Sequence, residues 1–102
     1  MPGMYNDINF FDNFDEMQHH ANKHGMNAAR IGHVAVNAIG SKKKAAVDNA
    51  MDSISYDARS YGANCVVLTR IDVMGKSSFF MNIIGVKSYC SVGVHADLYR
   101  ML

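Results

Sequence analysis

The sequence predicts an α+β domain: two helices packed on one face of a mixed three- to four-stranded sheet, in the order α-β-α-β-β(-β). Two observations carry that prediction. Residues 14–37 (FDEMQHHANKHGMNAARIGHVAVN) and 51–74 (MDSISYDARSYGANCVVLTRIDVM) run in step 37 positions apart, with Asp15/Asp52, Ala21/Ala58, Gly25/Gly62, Asn27/Asn64 and Val36/Val73 identical. Each stretch reads as a helix, a glycine stop and a strand, which points to a duplicated helix-Gly-strand unit. The C-terminal third alternates instead. Ile84, Val86, Cys90, Val92, Val94, Ala96 and Leu98 fall on one parity, and Lys87, Tyr89, Ser91, His95, Asp97 and Tyr99 on the other. A period of two marks a strand with one buried face.

Residues 1–11 form an aromatic lead-in with no clear period (Tyr5, Ile8, Phe10, Phe11), and 12–102 form the single domain. The first helix is expected from Asp12, a capping residue, with Asp15 and Glu16 in the first turn, where carboxylates favour the positive end of the dipole. Phe10, Phe14, Met17 and Ala21 follow its buried stripe, and Gly25 ends it, since glycine takes the left-handed conformation cheaply. The first strand follows over about 28–36. Ser41 is the expected N-cap of a second helix reaching Tyr61, with Val47, Ala50, Met51, Ile54, Ala58 and Tyr61 on one face and Gly62 as its stop. The second strand covers about 65–74 and is rich in β-branched residues. The crossover through the second helix is long enough to make the first two strands a parallel pair. A turn at Gly75-Lys76-Ser77-Ser78 leads into the alternating segment, which is too long for one strand in a domain of this size. A bend, bulge or split is expected near 91–93.

One hundred and two residues with 49% apolar and 19% charged side chains fit one domain, able to bury roughly 65% of its unfolded surface without staples. A net charge of +1 argues against a nucleic-acid binder. No run approaches the ~20 apolar residues of a transmembrane span. The start, MPGMYNDINFF, has no basic-then-apolar signal pattern.

Candidate sites are few. A hairpin turning between Ser77 and Ser78 would set Cys65 opposite Cys90, within disulfide reach. The alternative is two small thiols buried in a core. Glu16, His20 and His24 share one helix side at i, i+4, i+8, and a carboxylate with two imidazoles could hold Zn²⁺ or another divalent metal. The competing and favoured reading is a solvated polar face with no cofactor. His95 and Cys90, an odd number apart, face opposite ways, while His33 could approach Cys65 or Arg70 across the sheet. Gly75-Lys76-Ser77 resembles the tail of a P-loop, but Arg70 stands where its first glycine belongs. Lys42, Lys43 and Lys44 form a basic patch at a helix start, where cations do not aid the helix. It could dock an acidic partner or phosphate headgroups, though such runs are more often solvated. Phe79 and Phe80, with Phe10 and Phe11, point to a protein partner or self-association, unless the lead-in folds over the hairpin tip.

The alanine-bearing helix from Ala45, the run YGANCVVLTRIDV and the late strand SYCSVGVHADLY together resemble the YbjQ-like group of small α/β domains. They are also similar to the outer-membrane lipoproteins that sense envelope stress in the Rcs phosphorelay, which share a late cysteine-bearing strand matched by Cys90. The closing VGVHADLYR is similar to small secreted stress and biofilm proteins of the YdgH/BhsA kind. The resemblance covers about half the chain. It implies a non-catalytic interaction or sensor domain in the bacterial envelope or secreted, placed in the periplasm if a leader has been removed and in the cytoplasm otherwise. The alternative reading is a cytosolic homo-oligomer that binds a metal ion or small ligand.

Overall fold

The computed structural model describes residues 4–5, 7–76 and 89–102. Its elements are β1 (Met4–Tyr5), β2 (Ile8–Phe11), α1 (Phe14–Lys23), β3 (Ala28–Gly40), α2 (Lys43–Ser60), β4 (Cys65–Lys76) and β5 (Cys90–Met101). They make an α+β fold on one mixed sheet of order β1-β2-β4-β5-β3.

Asn13, not Asp12, caps α1: its side-chain oxygen accepts from the Glu16 N–H at 2.8 Å. Both helices end alike. Gly25 and Gly62 have φ of 64° and 79°. Behind them Met26 N–H donates to Ala21 and Ala63 N–H to Ala58, each at 2.8 Å, the six-to-one bond of a Schellman cap. At the front of α2 the expected Ser41 cap is not used. Lys42 stands at that position without a side-chain hydrogen bond.

Several expectations are corrected. The described part of the lead-in forms the strands β1 and β2. Asn9, Phe10 and Phe11 pair in parallel with Cys65, Val66 and Val67, and Phe10 is 1% exposed in the core. It is therefore not an interface residue, and Phe11 is packed against the smaller core under α1. Phe79 and Phe80 lie outside the described residues. The first two repeat strands, β3 and β4, run in the same direction but do not pair, because β5 lies between them, antiparallel to both. β5, the described part of the alternating segment, is stable there because both of its edges are hydrogen-bonded.

The helices lie on opposite faces, not one. Val66, Leu68, Val92, Val94, Ala96 and Leu98 pack with α2, whereas Cys65, Val67, Tyr99 and Met101 pack with Met17 and Ala21 of α1. Alternate residues of one strand serve different cores, so both faces are covered at this end of the sheet. The uninterrupted apolar run Cys65-Val66-Val67-Leu68 is the sequence mark of such a strand. Beyond α1 no helix among the described residues covers the second face.

The irregularities fall beside β5 rather than within it. Register shifts occur at Arg30/Gly32 in β3 and at Leu68/Arg70 and Val73/Gly75 in β4. The last lies opposite Ser91 and Val92, at the expected height but on the neighbouring strand. At the other end of the sheet, Gly40 passes so close to α2 that a Cβ there would strike the backbone of Ala45 and Ala46. The Asn49 amide donates to the Ile39 carbonyl at 2.9 Å, tying the same strand end to the helix.

Candidate functional site

The open part of the sheet face carries a polar strip across three strands. β5 contributes His95 and Asp97, which share a parity. β3 contributes Arg30 and His33. In a regular strand, residues three apart face opposite ways. The bulge at Ile31 cancels one step, so Arg30 and His33 both reach Asp97. His33 Nδ1 donates to the Asp97 carboxylate at 2.8 Å, and Arg30 Nη2 donates to the same oxygen at 3.2 Å. The His33 and His95 rings lie 5.8 Å apart. Arg70, opposite His95 on β4, pairs with Asp72 at 2.7 Å.

Partial burial pushes the Asp97 carboxyl up, but hydrogen bonds and charge from His33 and Arg30 outweigh it and hold the group below its usual range. With Nδ1 donating, a neutral His33 keeps Nε2 as its acceptor. Each arginine of the strip already has a carboxylate partner, so the strip largely neutralises itself.

The other sequence candidates separate. Cys65 lies opposite Tyr99, and Cys90 opposite Lys76 and Gly40. The thiols therefore sit at opposite ends of the β4–β5 pair, both free and buried, and the predicted bridge is not made. Lys76, not Cys65, is the residue that pairs with Cys90, so the register is displaced from the one a turn between Ser77 and Ser78 would set. Burial pushes the Cys65 thiol up to about 12, leaving a poor nucleophile. His33 meets Asp97 rather than Cys65. The His20 and His24 rings lie 4.5 Å apart, tilted by 48°, with Phe11 5.3 Å from His20. Glu16 does not join them, and among the described residues no three His, Cys, Asp or Glu side chains converge on a possible metal position. Lys42, Lys43 and Lys44 are exposed, and the last two border a shallow recess with Val47 and Ile71.

One feature escaped the sequence reading. β3 is an edge strand of 13 residues, and among the described residues no strand pairs with its outer side. Its side chains alternate: His33, Ala35, Asn37 and Ile39 are exposed, while Val34, Val36 and Ala38 are half-buried against the α2 core. Ile31 and Ile39 are 40% and 62% exposed. A recess of about 210 Å³ opens beside this edge between Ile31, Gly32, His33, Val34, Tyr61 and Leu98. The available signal was the strand's length together with its missing charges.

Among the described residues no helix is long and apolar enough to cross a membrane. Comparison with protein-family models, with curated proteins and with solved structures gives no match.

Proposed function

We propose that this chain is a non-catalytic interaction domain whose working surface is the outer edge of β3, with the polar strip beside it. The observation that carries this reading is the composition of that edge. From Ile31 to Gly40 it contains no Lys, Arg, Asp, Glu or Pro. Sheet edges left in solvent are normally guarded by charge, proline or shortness, because their bare N–H and C=O groups invite another strand. On the opposite side β1 is two residues long, and β4, which β2 pairs only as far as Val67, carries Arg70, Asp72 and Lys76 beyond that point. β3 is long and, from Ile31 onward, without formal charge, which is the character of an edge that accepts a strand: backbone bonds supply affinity, and alternate side chains supply selectivity. The strip of Arg30, His33, His95 and Asp97 would then select among partners rather than perform chemistry. The setting in the bacterial envelope is part of the proposal and rests on the YbjQ-like and Rcs-sensor resemblance of residues 45–96.

A photo-crosslinking residue placed at Ala35 in the native host tests it, with Tyr56, exposed on α2, as control. Covalent protein adducts from position 35 and not from 56 are expected, recovered from the envelope fraction. Equal yields from both positions would remove β3 as the working surface. Adducts confined to cytosol would remove the envelope setting.

A further inference from the structure

We infer that the strand accepted by β3 is β3 of a second copy, paired antiparallel about a two-fold axis at Ala35. The inference rests on the reading of β3 as the working edge and names its occupant. A two-fold axis perpendicular to the sheet makes the strands antiparallel and keeps the faces in register, so residues equally far from the axis meet. Taking Ala35 as the axis, each row matches itself. On the α2 face Val34 meets Val36, and Gly32 meets Ala38. On the open face Ala35 meets Ala35, and His33 meets Asn37, a pair able to hydrogen-bond. Ile39 and the bulged Ile31, the large exposed apolar side chains of this strand, stand four residues on either side of Ala35, so both fall within the paired stretch and are drawn out of solvent by it. No formal charge falls between Ile31 and Gly40, so no like charges are brought together, and like charges directly opposed would weaken the pair.

Other features favour a copy of this chain over a generic strand. Val34 and Val36 stay half-exposed although they pack on the core, and the second copy's Val36 and Val34 cover them. The recess between Ile31, Val34 and Tyr61 opens on the same side and receives apolar groups from the other copy. Both α2 helices then lie on one face of a continuous sheet, and both α1 helices on the other. A single strand pair is a small contact, so the dimer should dissociate on dilution.

Sedimentation equilibrium over a dilution series tests this, with wild type, Ala35→Lys and Ala35→Cys compared. Ala35 is exposed, so both changes leave the cores untouched. Wild type should approach twice its 11.3 kDa at hundreds of micromolar and fall toward monomer on dilution. Two lysines meeting at the axis should weaken the dimer by about tenfold or more. Facing residues lie within disulfide reach, so oxidised Ala35→Cys should be trapped as a covalent dimer, while Tyr56→Cys should not. The trap also decides the matter if Ala35→Lys fails to fold. A monomer at every concentration, with no trapped dimer, would overturn self-pairing and leave the edge to a different strand. A dimer that Ala35→Lys leaves unchanged would likewise overturn self-pairing through β3, because the copies would then meet elsewhere, and would leave the edge to a different strand.

Discussion

Asp97 holds the open face together: one carboxylate oxygen accepts from both His33 and Arg30. Replacing it with Asn should lower stability by about 1–2 kcal/mol at neutral pH, modest because the group is partly solvated. Its folded pKa lies below the unfolded one. The stabilisation is therefore complete above the unfolded value of about 3.9 and fades as pH falls through the folded value. Melting curves of wild type and Asp97→Asn should converge in acid, and a gap that persists there would show that the loss is not ionic. Cys65 works in the opposite direction. Its thiol is raised from 9.0 to about 12, so the native state keeps a proton that the unfolded chain loses. Stability should fall between those values, by up to about 1.4 kcal/mol per pH unit from this group, and Cys65→Ala should show a shallower alkaline decline. The pairing of His95 with Asp97 on one face was legible from strand parity. The arrival of Arg30 and His33 on that same face was not, because it depends on a bulge at Ile31 that no residue type announces.

Among the elements, the two helix ends were the most legible part of the chain. Gly25 and Gly62 take the positive φ that their place after an apolar stripe implied, and the bonds behind them match. The paired asparagines then diverge. Asn64 closes a two-way amide bridge to the Met101 backbone, at 2.8 and 2.7 Å, whereas Asn27 meets the same end of β5 through its own backbone and Leu102. Asn64→Ala should therefore cost about 1–3 kcal/mol by leaving buried groups unpaired, and Asn27→Ala well under half of that, as thermal or urea unfolding would measure. Equal losses would mean that Asn64 acts through its turn and not its amide. The strand pairing was not legible. Alternation shows which side of a strand is buried but not which neighbour it takes, and apolar rows match equally well after a slide of two. That freedom displaced Cys90 from Cys65 and hid the place of β5 between β4 and β3. It also concealed the pairing of Phe10, whose short strand lacks enough residues to show a period.

For the whole molecule, the decisive property is asymmetry between the sheet's edges. One ends in a two-residue strand. The other is the charge-free stretch of β3 from Ile31 to Gly40, braced by α2 through Gly40 and Asn49 on one side and bordered by the Asp97 strip on the other. Placing β5 between β3 and β4 is what leaves β3 outermost, so the proposed interaction surface follows from the topology more than from any motif. Amide hydrogen exchange of residues 31–40, read residue by residue at low and high protein concentration, tests this most directly. In dilute protein, amides of this strand that point toward β5 should be protected and the alternate ones should exchange quickly. At high concentration the fast set should gain protection while β4 stays unchanged. Fast amides that exchange equally at both concentrations would contradict the account.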